Sequence, residues 1–203
     1  MPRHANGDKV DNKAREGAGY ERVPLFPEPG DSKDGDPYLV NAIIESPRGI
    51  RNKFKYEEKF GLFVLTKVLP QGSVFPFDFG FLPHTKGDDG DPLDVLVLMD
   101  EPAFTGCLVQ VRLIGVIEAE QTERDGTTTR NDRLIAVAAD SHNHSDITSL
   151  HELNEHLVEE IEHFFVSYNT IAGKKFKPIG RFAAGRALKL VQDAATSKAE
   201  HKK

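Results

Sequence analysis

Tryptophan is absent from this sequence, and it has a single cysteine, Cys107. One cysteine cannot form an internal disulfide, which excludes a small secreted fold held together by disulfides. No apolar run reaches the length of a membrane span, since the longest runs, near 95–99 and 108–117, are short or interrupted by polar residues. The opening stretch, MPRHANGDKVDNKAREG, also lacks the apolar region of a signal peptide. We therefore expect a cytoplasmic protein without a membrane partner.

Positive charge is in deficit, with 26 Lys and Arg against 32 Asp and Glu and a formal net charge of −6. Nucleic acids and acidic membranes attract basic surfaces, so we expect no nucleic-acid partner. An acidic protein can nevertheless hold a local basic pocket for a small anion. The bulk charge therefore disfavours nonspecific binding to polyanions but does not exclude an anionic substrate.

The composition divides the chain into three parts. Residues 1–37 are rich in Gly, Asp, Lys and Pro, which predicts a flexible extension in which VPLF (23–26) is the segment suited to docking. Residues 38–195 are expected to form the folded domain, and 196–203 a frayed tail.

Hydrophobic periodicity predicts the elements of the domain. Apolar residues recur every three or four positions over 150–169 and again over 181–195, which predicts two amphipathic helices. Short strands without alternating helices indicate an α+β fold, with an antiparallel or barrel-like sheet and C-terminal helices packed on it. The strands are predicted at 39–46, 52–58, 61–69, 94–99, 108–120 and 132–139.

An acidic stretch, GDDGDPLDVLVLMDE, places Asp89, Asp91 and Asp94 directly before an apolar strand. Alternation puts Asp89 and Asp91 on one face, and Pro92 bends the chain so that Asp94 converges on them. Carboxylates this close repel each other unless a cation lies between them or some are protonated. Oxygen ligands alone favour Mg²⁺, or Mn²⁺ in its place, over zinc or copper.

The tetrapeptide Asp-Gly-Asp-Pro also occurs at 34–37, but there Leu39 stands where the third aspartate would fall. Asp, Gly and Pro are ordinary turn residues. We therefore expect a simple turn at 34–37 and a metal site at 89–94.

Several stretches resemble, in order and spacing, the soluble family I inorganic pyrophosphatases. The resemblance covers about residues 39–190, and its most specific part is Asp-Gly-Asp-Pro-Leu-Asp-Val. It implies a distorted five-stranded barrel related to the OB-fold, a homo-oligomer, and hydrolysis of pyrophosphate to two phosphates by a water held between metal ions. The stretches are NAIIESPRGIRNKFKYE, VFPFDFGFLPHT, DDGDPLDVLV, DRLIAVAAD and HFFVSYN.

The resemblance also implies roles for individual residues. Asp91 would be the catalytic base. Lys67 matches its position in the family pattern only if one extra residue is allowed before it. The implied metal ligands are Glu45, Asp89, Asp91, Asp94, Asn131 and Asp132, and the implied substrate-binding residues are Lys53, Lys67, Arg133 and Tyr168. Taken singly, strand residues such as Glu45 and Lys53 would be expected to face water.

Some positions depart from the family pattern. Lys55 stands where an acidic residue is usual, Phe75 and Phe79 where tyrosines are common, and Asn131 where a metal-ligating aspartate is expected. The segment 122–133 is longer than usual. The carboxylate that Asn131 lacks could come from Glu123, Asp125 or Asp132.

These departures leave alternatives to a fully active diphosphatase. Reduced activity, a shifted phosphoanhydride substrate, or a non-catalytic binding or regulatory homologue would each be compatible with them. A third class of function, oligonucleotide binding on the barrel face, is opposed by the net charge and the acidic cluster.

Overall fold

The computed structural model describes residues 19–28 and 35–200, of which 196–200 are described by their backbone alone. Within these ranges the chain forms nine β-strands and two α-helices, together with short 3-10 turns. The strands are β1 (Leu39–Ser46), β2 (Asn52–Glu57), β3 (Leu62–Val68), β4 (Asp78–Phe81), β5 (Asp94–Leu98), β6 (Leu108–Thr122), β7 (Thr128–Arg130), β8 (Arg133–Ala138) and β9 (Lys175–Ala183), and the helices are α1 (Glu155–Ile171) and α2 (Ala184–Glu200).

The main sheet closes on itself. Strand β1 pairs with both β4 and β6, and the path β4–β5–β8–β6 completes the ring, while β7 and β9 add to β6. The β5–β8 pair is parallel, whereas the other pairs of this sheet are antiparallel. The mixed α+β class is therefore confirmed, and the finer expectation of a five-stranded barrel of the OB type remains a prediction.

Closure of the ring requires a glycine at the β1–β4 contact. A Cβ atom added to Gly80 would overlap the backbone carbonyl oxygen of Ile43, which belongs to the neighbouring strand. A larger residue at position 80 would therefore push β4 away from β1.

Strands β2 and β3 form a separate antiparallel hairpin that contains a β-bulge. Lys53 pairs with Lys67 and the next residue, Phe54, pairs with Leu65, so Thr66 is the additional residue. The Thr66 hydroxyl donates to the carbonyl oxygen of Lys53 at 3.0 Å. The extra residue that the family resemblance required before Lys67 therefore forms this β-bulge.

Both helices begin later than predicted. Helix α1 starts at Glu155, because Asn154 caps it by accepting a hydrogen bond from the backbone N–H of His156. The predicted start of the second helix, 181, falls in β9, which is held extended by its pairing with β6. Helix α2 consequently begins only at Ala184, and it ends at Glu200.

The strands β4, β7 and β9 were not predicted. Strand β4 is only four residues long and is buried throughout, so it shows no alternation. Strand β9 contains Pro178 and Gly180, which weaken a strand pattern. Short or interrupted strands of this kind are fixed by their neighbours rather than by their own sequence.

Successive residues along the same strand pack into two different apolar clusters, one on each face of the sheet. Val95 and Val97 pack in one cluster with α2, whereas Leu96 and Leu98 pack in the other with α1. Burial on both faces explains why β5 reads as a continuous apolar run. No helix in the described ranges has both the length and the apolar character needed to cross a membrane.

Part of the N-terminal segment packs against the domain. Leu25, within VPLF, is buried in the cluster that includes α2, and its carbonyl oxygen accepts from the backbone N–H of Asn41 at 2.8 Å. The rest of the predicted extension lies largely outside the described residues, as do 201–203. The domain limits at 37 and 195 therefore stay predictions.

Candidate active site

A pocket of about 720 Å³ collects side chains from β1, β2, β3, β4, β5, β6, β8 and α1. Of the ten residues implied by the sequence, nine line it. They are Glu45, Lys53, Lys67, Asp89, Asp91, Asp94, Asn131, Arg133 and Tyr168. The tenth, Asp132, does not line it.

The acidic stretch forms a tight loop at the edge of this pocket. The Asp89 carboxylate accepts from the backbone N–H of Asp91 at 3.1 Å, and Gly90 between them has a φ of 88°. The Asp91 carboxylate faces Lys55, whose ammonium group donates to both of its oxygens at 2.9 and 2.8 Å. The third predicted ligand, Asp94, opens strand β5.

Asp94 is paired with a buried arginine. Arg133, 4% exposed, places Nη1 2.8 Å from Asp94 Oδ2, and its guanidinium lies 4.8 and 5.2 Å from the ring centres of Phe165 and Phe176. The same Nη1 donates to the side-chain oxygen of Asn131. Arg133 is thus fixed by aromatic rings and by two side-chain oxygens of the pocket.

Asn131 has both ends of its amide engaged. Its oxygen accepts from Arg133, and its NH₂ group donates to Gln121 Oε1 at 3.2 Å. An amide in place of a carboxylate fits a position beside an arginine and a glutamine, because it can accept from the first and donate to the second.

Glu45 is buried, 6% exposed, and is held by partners on β2. One oxygen accepts from Lys53 Nζ at 3.1 Å and the other from the backbone N–H of Tyr56 at 3.2 Å. Burial raises the pKa of Glu45, and the charge of Lys53 opposes that shift. Lys53 Nζ also lies 3.9 Å from the ring centre of Phe79. The alternative in which Glu45 only faces water is therefore wrong.

Lys67 and Tyr168 meet at the other side of the pocket. Lys67 Nζ lies 4.3 Å from the centre of the Tyr168 ring. Partial burial lowers the pKa of Lys67, and the nearby charges of Lys174, Arg124 and Lys53 add to the effect. Burial likewise raises the pKa of Tyr168. The desolvated Lys67 ammonium is suited to an anion that would replace its lost water.

Positions 75 and 79 contribute aromatic rings without hydroxyl groups. Phe75 and Phe79 are both buried, with ring centres 5.7 Å apart, and Phe75 also contacts the rings of Phe164 and Tyr168. Phenylalanine suits these positions because a tyrosine hydroxyl buried here would need a partner. The two rings form the apolar wall of the pocket.

The Asp132 side chain points away from the pocket, because side chains alternate along an extended segment. Its carboxylate accepts from the backbone N–H of Ala119 at 2.9 Å and pairs with Arg130, also at 2.9 Å. It lines a neighbouring cavity of about 400 Å³. Because Asn131 and Arg133 point into the larger pocket, the residue between them points away.

Glu123 is the alternative carboxylate that reaches the pocket. It accepts from Gln121 at 2.7 Å and pairs with Lys174 at 2.8 Å. Asp125, in contrast, accepts from the backbone N–H of Thr127 within the turn. The length of the 122–133 segment was the only sequence signal for Glu123, and none pointed to Gln121 or Lys174.

Tyr20 is a further pocket residue that the sequence did not suggest. Its ring packs edge-on against Tyr56 and Phe81, with centre-to-centre distances of 4.6 and 4.8 Å. Its hydroxyl donates to Glu58 at 3.1 Å. It lies in the segment predicted to be an extension, where a single aromatic residue carries no periodic signal.

The donor set is chemically suited to a hard divalent cation, since Glu45, Asp89, Asp91 and Asp94 all present carboxylates to one pocket. No group of three or more His, Cys, Asp or Glu side chains in the described ranges is nevertheless arranged to hold a metal ion. Asp91 is turned toward Lys55. A cation coordinated jointly by the acidic loop would therefore have to share the Asp91 oxygens with Lys55 or replace Lys55 there.

Comparisons with known proteins agree with the resemblance. The family model described as inorganic pyrophosphatase matches residues 42–199. The chain is 34% identical over 172 residues to an inorganic pyrophosphatase of Synechocystis, covering 85% of this chain and 94% of that protein. It is 38% identical over 144 residues to the inorganic pyrophosphatase of Thermus thermophilus, covering 71% of this chain and 79% of that protein.

Solved structures give the same answer for the fold. The crystal structure of the Thermus thermophilus inorganic pyrophosphatase matches with a TM-score of 0.78 at 31% identity, covering 90% of this chain and 99% of that chain. An inorganic pyrophosphatase from Neisseria gonorrhoeae matches with a TM-score of 0.76 at 26% identity, over 89% and 99% of the two chains. The chain belongs to the inorganic pyrophosphatase family.

Proposed function

We propose that the pocket binds pyrophosphate together with divalent metal ions, Mg²⁺ by preference and Mn²⁺ as a substitute, and hydrolyses it to two phosphates. Family membership supports hydrolysis of pyrophosphate and does not favour a non-catalytic homologue. The observation that carries the proposal is that carboxylates and cationic side chains line the same pocket, in a chain that belongs to the inorganic pyrophosphatase family.

The cationic side would hold the phosphate groups. Lys53, Lys67 and Arg133 reach the pocket from three different strands, so they can contact an anion from several directions. Arg133 and Lys53 are held in place by ring contacts, which reduces the ordering cost of binding. Tyr168 supports Lys67 through its ring face and can present its hydroxyl to a phosphate oxygen.

The acidic side would hold the metal and receive the proton of the attacking water. We assign Asp89, Asp91 and Asp94 as the main metal ligands, with Glu45 and Asn131 as further oxygen donors that are already engaged by Lys53 and by Arg133. A bound magnesium ion neutralises charge on the phosphates and makes water more acidic. Asp91 is the assigned base, since it is a half-exposed carboxylate of the acidic loop that solvent can reach.

The proposal is tested by measuring free phosphate released from pyrophosphate with Mg²⁺, with Mn²⁺, and with excess EDTA. We expect release that requires the metal and that EDTA abolishes. Absence of release with either metal from a protein that shows a cooperative thermal transition would contradict the proposal. Self-association and a cytoplasmic location stay predictions from the sequence.

A further inference from the structure

Four carboxylates of the pocket are matched with cations of the chain in separate pairs. Each of four acidic residues has an ammonium or guanidinium group within 3.1 Å. The pairs are Glu45–Lys53, Asp91–Lys55, Asp94–Arg133 and Glu123–Lys174. These four carboxylates are therefore neutralised by side chains of the chain itself before any ion enters.

These pairs differ in how firmly they are held. The Arg133 side chain is 5% exposed and the Lys53 side chain 16%, and both lie against aromatic rings. Lys55 and Asp91, in contrast, expose 49% and 59% of their side chains. An exposed ion pair is weak and easily separated, so Lys55–Asp91 is the pair most readily broken.

Lys55 is placed where it would compete with a metal ion for Asp91. It donates to both oxygens of Asp91, and a divalent cation would need at least one of the same oxygens. It also brings a positive charge close to the place where the cation would bind. Glu45 and Asp94 lie close enough to act on Lys55 electrostatically, so the ammonium is attracted to the acidic side as a whole.

We propose that Lys55 is a built-in counter-ion that occupies Asp91 in the metal-free protein and must be displaced when a divalent metal binds, so that Lys55 limits the metal affinity of the site. This inference rests on the proposed metal-dependent function. It makes Lys55 a positioning residue that acts through Asp91 rather than on the reacting atoms. An exposed pair contributes up to about 1 kcal/mol, which corresponds to an affinity change of about fivefold.

The experiment is a calorimetric titration of Mn²⁺, and then Mg²⁺, into the metal-free full chain without pyrophosphate. Lys55→Gln should bind the metal about fivefold more tightly than the unmodified chain. Lys55→Arg keeps the charge and should stay within about twofold of it. Lys59→Gln removes a more exposed positive charge, 65% against 49% for Lys55, that is close by in the chain but outside the pocket, and should also stay within about twofold.

A gain of threefold or more that is confined to Lys55→Gln supports the inference. No gain, a loss, or an equal gain in Lys55→Arg or Lys59→Gln overturns it, as does failure of both the unmodified chain and Lys55→Gln to bind either metal. Lys55→Thr provides a second neutral variant with good strand propensity if thermal melting shows that glutamine disturbs β2. Because the titration involves no turnover, its result can be read even if pyrophosphate hydrolysis is not observed.

Discussion

The two copies of Asp-Gly-Asp-Pro have similar turn features and different surroundings. Their glycines, Gly35 and Gly90, both have positive φ angles, 63° and 88°. Each copy also has an aspartate that accepts from a backbone N–H two residues on, but at a different position of the tetrapeptide. In the first copy the second aspartate, Asp36, accepts from Tyr38 at 2.9 Å, and in the second copy the first aspartate, Asp89, accepts from Asp91 at 3.1 Å. Asp34, the first residue of the first copy, lies outside the described residues.

What differs is the set of side chains opposite each turn. The first copy leads into β1, and Tyr38 beside it packs against an apolar cluster. The second lies within reach of Lys55 and leads to Asp94, which pairs with Arg133. The tetrapeptide therefore determines a turn, while cations on β2 and β8 create the conditions for a site.

The largest expected difference between the two copies is in catalysis. Asp91→Asn removes the charge of the proposed base and metal ligand, so phosphate release from pyrophosphate with Mg²⁺ should fall by a factor on the order of 10² to 10⁴. Asp36→Asn keeps an oxygen that can accept from Tyr38, and should leave the rate within about twofold.

Steady-state rates and urea unfolding of both variants would be compared. Equal loss of activity in the two variants, or a rate for Asp91→Asn close to that of the unmodified chain, would show that the acidic loop has no special part in hydrolysis.

A smaller effect should separate stability from activity. Alanine at either glycine is strained by the positive φ, although nothing lies within 4 Å of the added Cβ in either turn. Gly35→Ala and Gly90→Ala should therefore each lower the free energy of unfolding by about 1 kcal/mol. Only Gly90→Ala should also reduce metal-dependent phosphate release, because it moves Asp91.

Urea unfolding monitored by circular dichroism gives the free energy of unfolding, and phosphate release from pyrophosphate gives the activity. An activity loss from Gly35→Ala as large as that from Gly90→Ala would remove the distinction between the turns.

The smallest effect concerns Asp100, an aspartate with structural partners only. Its carboxylate accepts from the Ser141 hydroxyl at 2.7 Å and from the backbone N–H groups of His142 and Asn143, and these bonds lower its pKa to about 2. A depressed pKa means that the charged form stabilises the fold above pH 3.8, and that this contribution is lost as the pH falls toward 2.

Asp100→Asn should accordingly melt at a lower temperature than the unmodified chain at pH 7, with the difference shrinking between about pH 4 and pH 2. The prediction is checked by measuring the melting temperatures of Asp100→Asn and of the unmodified chain across that pH range. A difference that stays constant down to pH 2 would show that the charge of Asp100 is not what stabilises the 141–143 loop.

Local patterns in the sequence predicted most of the fold. Strand β1 was predicted with its observed limits, because its apolar residues and the following Pro47 are local signals. The start of α1 was missed since Asn154, a single capping residue, decides it. Strand β9 was missed because only its pairing with β6 reveals that 175–183 is extended.

The site depended on resemblance more than on pattern. Nothing local in the sequence shows that Glu45 and Lys53 turn toward each other, or that Arg133 would reach Asp94. Asp132 was included because the length of the 122–133 segment left the register open, and only the folded structure shows that its side chain turns away from the pocket. Glu123 and Lys174 come from segments far apart in the chain, so only the folded structure brings them together.

The bulge at Thr66 shows how this chain tolerates a change in length. In a regular hairpin, the register of Phe54 with Leu65 would place Thr66 opposite Lys53 and would pair Lys67 with Asn52, on the opposite face. Inserting one residue would then remove Lys67 from the pocket. Because the bulge confines the extra residue to the exposed position of Thr66, the residue does not change which side chains reach the pocket. The hairpin can therefore take up a one-residue insertion without moving Lys67.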